Sequence, residues 1–366
     1  MSISERWEQG SEFHLPTYRS SAESPVPWGK NPVFFGSGQD ASRSLLIHGQ
    51  KERGWQRFWI PSYFCQQVVQ SFISTGIEVI TYPAGPEDLS LCISRDNLNQ
   101  GDVVFIVNFF GLHCDPPQYS INREYVEIIE DHTHDPWSKW AYTSDADWCV
   151  VSLRKTLPVP DGGVLWSPSS HKLPATPLVD EARRTASLEK FAAMVLKTLY
   201  LEDYEIEKEV FRDLAVKGES RIAYDPVIKE ISGITRWSYN LLKSFPLEEW
   251  RKKRKDNHQL LSNSLVGIKW LTVLQPDIKS DVCPFSCIML FDLPERRNYV
   301  RKKLINSRVY PVVLWPMDNP AVLGIPQEHI EFSSRMLSVH CDMRYSSEDM
   351  ERVASLIKRF GDEYRP

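Results

Sequence analysis

Five short apolar runs punctuate the first half of the chain, at 58–60, 78–82, 103–107, 126–129 and 148–153, and the intervals between them are long enough for a helix and its turns. Runs of this length, rich in Val, Ile, Phe and Trp, predict strands, and their alternation with helix-length gaps predicts a mostly parallel sheet with helical crossovers. A sixth run at 164–166 follows a double glycine. Between 178 and about 216 the period changes: Phe191, Met194, Val195, Leu199 and Tyr200 fall at helical spacing and predict a core or subunit-interface face. From about residue 244 the order reads helix, strand (286–293), helix (296–306), strand, strand, helix (347–360), an α+β arrangement. These shifts predict an α/β fold in three parts: an irregular, proline-bearing arm at 1–30, a large α/β domain at 31–243 and a small C-terminal α+β domain at 244–366. No internal repeat or low-complexity tract is present.

Candidate chemistry sits at the ends of two of the predicted strands. The run Trp148-Cys149-Val150-Val151 leads into Ser152-Leu153-Arg154-Lys155-Thr156-Leu157-Pro158-Val159-Pro160-Asp161-Gly162-Gly163, whose prolines and glycines end any regular element. A lysine at such a strand exit is a candidate for partial desolvation, which lowers an amine's pKa and favours imine formation with an aldehyde. A surface lysine on a loop is the plainer reading of the segment by itself. The run Val126-Glu127-Ile128-Ile129 ends in Glu130-Asp131-His132-Thr133-His134. A carboxylate at the C-terminal end of a parallel strand lies where open α/β sheets bind ligands, and a helix N-cap is the plainer alternative for Asp131. Upstream, Gly36-Ser37-Gly38-Gln39 precedes a helical pattern, so backbone amides at a helix start are placed to receive a phosphate, as in any loop-to-helix junction of this kind.

In that order, Gly-Ser-Gly-Gln, Glu-Asp-X-X-His and Ser-X-X-Lys with Asp161-Gly162-Gly163 six residues on, the chain resembles the DegT/StrS group of aminotransferases within the fold type I pyridoxal phosphate-dependent enzymes. Pro61-Ser62-Tyr63-Phe64-Cys65, Asn108-Phe109-Phe110-Gly111 and Met343-Arg344-Tyr345 are similar to further stretches of that group. The resemblance implies a fold type I architecture, the cofactor pyridoxal 5'-phosphate and transfer of an amino group from a donor, glutamate in the family, to a keto acceptor, often a keto-sugar. It implies that Lys155 carries the cofactor as an internal aldimine and shuttles the proton, that Asp131 pairs with the pyridine nitrogen and that His134 contacts the ring's phenolic oxygen. Ser37, Gly38, Gln39 and Ser152 would bind the phosphate, and Phe64 or Tyr63 would stack on the ring. Asn240, in Thr235-Arg236-Trp237-Ser238-Tyr239-Asn240, is the loose counterpart of an asparagine reaching a neighbouring subunit's phosphate, and a homodimer is implied. Arg344 and Trp315 are the substrate candidates, with an Asp342 or Glu348 pair and simple packing as their structural alternatives. The sequence departs from the family in that the family's phosphate serine lies five residues before the lysine rather than three, Gln39 replaces a threonine, and His132, equally readable as a packed or a functional histidine, stands where alanine is frequent. A non-transaminase of the same scaffold, a lyase or dehydratase, and a cofactor-binding regulatory homologue are the other readings, although the dehydratases replace the lysine with histidine.

Composition adjusts this picture only at its edges. With 366 residues, 42% hydrophobic, the chain is long enough to bury a large core. The net charge of −5 gives no basic footprint for nucleic acid, and the run Arg251-Lys252-Lys253-Arg254-Lys255 reads as the solvated face of a helix. Seven cysteines at 65, 92, 114, 149, 283, 287 and 341 show no paired metal spacing, so reduced thiols, a cytoplasmic location and no metal are expected. The segment at 1–7 lacks a signal-peptide core, and no apolar run is long enough to span a membrane.

Overall fold

The computed structural model describes residues 6–19, 28–29, 31–88, 93, 97–117, 121–223 and 230–365. Its elements run β1 (Gln9–Gly10), β2 (Val33–Phe35), α1 (Gly38–Glu52), β3 (Arg57–Pro61), α2 (Gln66–Ile73), β4 (Glu78–Tyr82), β5 (Asp102–Val107), β6 (Val126–Asp131), α3 (Lys139–Thr143), β7 (Trp148–Ser152), β8 (Gly163–Trp166), α4 (Glu181–Leu201), α5 (Lys208–Ile222), α6 (Arg236–Ser244) and α7 (Leu247–Leu265). They continue with β9 (Leu271–Val273), β10 (Cys287–Phe291), α8 (Pro294–Asn306), β11 (Val309–Tyr310), α9 (Gln327–Arg335), β12 (Met336–Val339) and α10 (Ser347–Glu363).

Seven strands form one sheet in the order β2-β8-β7-β6-β5-β3-β4. The stretch from β7 to β4 is parallel, and β8 pairs antiparallel with both β7 and β2. Every residue of β5 and β8 is buried, as expected of strands covered on both faces by helices. Apolar clusters lie on either side, one including Phe58, Phe105 and Trp148 and the other including Trp28, Trp140 and Trp166. The C-terminal part builds a three-stranded antiparallel sheet, β12-β10-β9, whose core holds Leu261 of α7, Leu304 of α8 and Ile357 of α10. The helix starts follow local rules. Ser37 caps α1, Asp180 caps α4, α8 opens on Pro294, and Ser346 with Asp349 forms a capping box on α10. Among the described residues, no helix is long and apolar enough to cross a membrane.

Several expectations are corrected. The run at 148–153 ends as a strand at Ser152, and Leu153–Lys155 turn as a 3₁₀ segment, so the lysine sits on a tight turn. The run at 164–166 becomes β8, antiparallel to its neighbours β7 and β2, with β2 beyond it on the edge of the sheet. The helical stretch from 178 divides into α4 and α5 around residues 202–207. β9 and α9 are additions to the expected order; the three residues of β9 are too few to show a period. The arm is not wholly irregular, since Gln9 and Gly10 pair in parallel with Val309 and Tyr310; residues 1–5, 20–27 and 30 lie outside the described residues, as does Cys92. The basic run is only partly solvated. Arg251 turns inward to pair with buried Asp135, and buried Arg254 donates to the Thr156 carbonyl at 2.8 Å, while Lys252 stays exposed against Asp256.

Asp161, just before the double glycine, ties the lysine-bearing loop to two helices. Its buried carboxylate accepts hydrogen bonds from the Thr235 amide (2.9 Å) and hydroxyl (2.6 Å), the Ser187 hydroxyl (2.9 Å) and the Ser238 hydroxyl. Burial raises its pKa and these four donors oppose the rise. Asp161→Ala strands all of these donors and is expected to lower the unfolding free energy by about 3 kcal/mol, whereas Arg236→Ala, on the exposed side of the same helix, should change it by less than about 0.5 kcal/mol. Urea denaturation of the two variants checks the contrast.

Candidate active site

Three chain segments meet at the C-terminal edge of the parallel strands. β6 ends at Asp131, opposite Val150 in the register with β7, and β7 runs through Ser152 into the turn that carries Lys155. The start of α1 closes the third side. A Cβ added at Gly38 would sit 2.7 Å from the Ser152 Cβ, so only glycine allows this helix start to press against β7. Between them lies a cleft of about 880 Å³, open at its mouth and lined by residues of all three segments together with Phe64, Glu219, Phe285 and Trp315.

Lys155 is reached by solvent through the cleft yet is surrounded by protein. Burial, then the neighbouring Arg154 guanidinium, hold its ammonium below the ordinary lysine range, against weaker opposite pulls from Cys65 and Glu219. No carboxylate among the described residues forms an ion pair with it. Asp131 accepts a hydrogen bond from the Thr133 amide at 2.8 Å, and burial pushes its carboxyl upward. A carboxylate so placed is stabilised by a cationic partner in the cleft. His134 is buried, with its ring 5.8 Å from Trp315 at 25° and 4.8 Å from Phe285. Its Nδ1 accepts from the Phe110 amide at 3.1 Å, so the neutral ring carries its proton on Nε2.

Of the sequence candidates, the cleft gathers Lys155, Asp131, His134, Ser37, Gly38, Gln39, Ser152, Phe64 and Trp315. Ser37 borders it, but its hydroxyl is occupied with Asp40, accepting from the amide and donating to the carboxylate, each at 3.0 Å. Tyr63 does not border the cleft: its hydroxyl donates to the Leu314 carbonyl and accepts from the Trp315 amide at 3.0 Å, leaving Phe64 as the aromatic of that pair that faces the cleft. Arg344 is also elsewhere. Its side chain is fully buried and grips Asp342 with Nε and Nη2, both at 2.8 Å, which is the structural alternative read from the sequence. Asn240 is exposed on α6 and does not line the cleft of its own chain. His132 is packed inside, its Nε2 3.0 Å from Glu130, and Ser144 donates to the same carboxylate at 2.6 Å.

Sequence reasoning passed over two charged residues lining the cleft, Arg154 and Glu219. They pair at 2.5 Å, and Glu219 also pairs with Lys190 of α4. A local signal for Glu219 existed: Gly218 stands inside a helix, and a Cβ there would meet the Ala186 carbonyl at 2.7 Å, so a mid-helix glycine marks where α5 closes on α4.

No protein-family model matches the chain, and no curated protein matches its sequence. Solved structures do share its fold. The chain is similar to Spr1654 of Streptococcus pneumoniae in its PLP form (TM-score 0.58, 12% identity, 92% of this chain and 88% of that one). It is similar to the sugar aminotransferase CalS13 from Micromonospora echinospora (0.55, 11%, 90% and 87%) and to a DegT DnrJ EryC1 StrS aminotransferase from Brucella abortus (0.56, 15%, 92% and 87%). These neighbours show that the chain shares their fold, with its large, mostly parallel sheet and helices.

The buried imidazole makes one property of the site measurable. Burial, then Lys155, lower the His134 pKa from 6.5 to about 3. Because the folded value lies below the unfolded one, the unfolded chain binds the extra proton; the contribution to stability is whole above 6.5 and is lost as pH falls toward 3. His134→Gln is therefore expected to unfold less steeply with acid than the parent between about pH 6 and about pH 4, with parallel curves above about pH 7. Urea titrations across that range read the difference.

Proposed function

We propose that the protein is a pyridoxal 5'-phosphate-dependent aminotransferase acting on a keto-sugar or related small keto compound, with glutamate as amino donor. The observation that carries this reading is the convergence of Asp131, Lys155 and the start of α1 on one cleft at the C-terminal edge of the sheet. The residues present suit the cofactor: a half-buried carboxylate calling for a cationic partner, an amine whose pKa is lowered, and a helix start that glycine alone lets approach Ser152. When bound there, pyridoxal 5'-phosphate supplies an aldehyde that captures amines and a ring that accepts electrons from the substrate's α-carbon.

Each residue then has a defined task. The Asp131 carboxylate holds a proton on the ring nitrogen, and the His134 Nε2–H donates toward the ring's phenolic oxygen. The amides of Gly38 and Gln39 and the Ser152 hydroxyl hold the phosphate, while Phe64 and Trp315 wall the ring. Lys155, once its amine is free, would take the proton from the donor's α-carbon and, in the second half-reaction, deliver one to the acceptor carbon that bore the keto oxygen, a role that its lowered pKa favours. Asn240, on the outer face of α6, serves a partner subunit's cleft in a homodimer. Six cysteines are unpaired among the described residues, which suits a reducing cytoplasm.

Mixing the protein with pyridoxal 5'-phosphate is expected to give a yellow complex that borohydride fixes covalently on Lys155, and glutamate is expected to bleach it with release of 2-oxoglutarate. Lys155→Ala should yield no fixed adduct, and Asp131→Asn should slow amino transfer by about 100-fold or more while the protein still folds. A Lys155→Ala protein that gave the same fixed adduct would overturn the assignment; colour without bleaching by any amino donor would leave a cofactor-binding protein rather than a transaminase.

A further inference from the structure

We propose that Arg154, the residue immediately before the lysine, is a ligand of the cofactor's phosphate and supplies the fixed positive charge at that end of the cleft. The inference rests on the cofactor reading above and adds a residue to it. Ser152, pressed against Gly38, marks where the start of α1 meets the end of β7, and Arg154 is two residues farther along the same turn, lining the same cleft. Its side chain is only 9% exposed. One arm is engaged, Nη1 with Glu219 at 2.5 Å, but its Nε has no hydrogen-bond partner among the described residues. The Nη2 also makes no hydrogen bond among the described residues and is not sealed from the cleft, and a planar guanidinium with a free arm matches phosphate oxygens.

The surrounding charges agree with an anion rather than a cation as the missing partner. Glu219 is shared between Arg154 and Lys190, two cations on one carboxylate. Lys190 also reaches Glu12, but at 3.7 Å and to a carboxylate that is 49% exposed and hence screened. The one acid in the first turn of α1, Asp40, is faced by Arg183 at 3.4 Å and Arg43 at 3.9 Å. What the cleft meets here is a helix start and an arginine whose one carboxylate partner is shared with Lys190. This arrangement also accounts for the shifted serine: with the hydroxyl three residues before the lysine, the guanidinium beside it provides the charged contact.

The test pairs removal of the side chain with removal of the phosphate. Affinities of pyridoxal 5'-phosphate and of pyridoxal, which lacks the phosphate, are measured by absorbance titration on the parent, Arg154→Ala and Glu219→Gln proteins, and inorganic phosphate is measured on each by calorimetry. Arg154→Ala should weaken pyridoxal 5'-phosphate about 10- to 100-fold and leave pyridoxal nearly unchanged. Glu219→Gln, which keeps Arg154 in place and releases its engaged arm, should tighten both pyridoxal 5'-phosphate and inorganic phosphate. Equal weakening of both aldehydes by Arg154→Ala, no weakening of either, or a loss of phosphate affinity in Glu219→Gln would overturn the proposal and leave the Arg154–Glu219 pair a purely structural tie. If the parent binds neither aldehyde, the cofactor reading fails by itself. Inorganic phosphate then decides the arginine's role: binding lost in Arg154→Ala upholds it as an anion ligand, and binding unchanged or absent from the parent rejects it.

Discussion

The site depends on two places where backbone touches backbone. At Gly163 an added Cβ would lie 2.2 Å from the Ser37 carbonyl oxygen, and at Gly38 it would lie 2.7 Å from the Ser152 Cβ. The Gly162 amide donates to the Gly36 carbonyl at 2.8 Å, and the Leu153 amide donates to the Gly162 carbonyl at 3.1 Å. Two segments far apart in the chain are thus joined without intervening side chains, and the helix start and the lysine turn cannot shift independently. Asp131 inherits the same frame because β6 is the next strand. Placement of reactive groups by close-packed backbone needs no rearrangement when a ligand arrives, which is the condition under which orientation contributes most to rate.

What could be read from the sequence follows from this. The strands were legible because burial on both faces makes them nearly continuous apolar runs, and the position of Asp131 and Lys155 at the ends of two such runs was legible with them. Tyr63 and Phe64 were not separable, since adjacent aromatics differ only in which one the following helix turns toward the cleft. The partnership of Arg154 with Glu219, and the inward turn of Arg251 and Arg254, join residues distant in sequence, and no local period records such a contact. Arg344 was a candidate because an arginine late in the chain suits an anionic substrate; its actual partner, Asp342, lies two residues away, and that short-range option was the better guide.

Buried charge is handled in two ways in this fold. At Asp135 with Arg251, and at Asp342 with Arg344, a carboxylate is met by a guanidinium, and in the second pair the carboxyl is held well below its ordinary range. At Asp161 no cation is in contact, and hydroxyls and an amide provide the compensation instead. Neutral donors thus hold the Asp161 loop without an ion pair of its own, while the charged pair beside the lysine is Arg154 with Glu219.

Arg344 also donates to the Glu12 carbonyl at 3.2 Å and lies over the Phe13 ring, while the Gly10 amide donates to the Tyr345 hydroxyl at 2.8 Å across 335 positions of sequence. With the parallel pairing of Gln9–Gly10 to Val309–Tyr310, these contacts bind an early segment to one of the latest. On a ribosome, residues 9–13 emerge long before their partners exist. They must wait, unpaired, through synthesis of the whole seven-stranded sheet, and the loop they finally close is among the longest the chain can form. The strand that comes first in the sequence is therefore among the last to be placed in time.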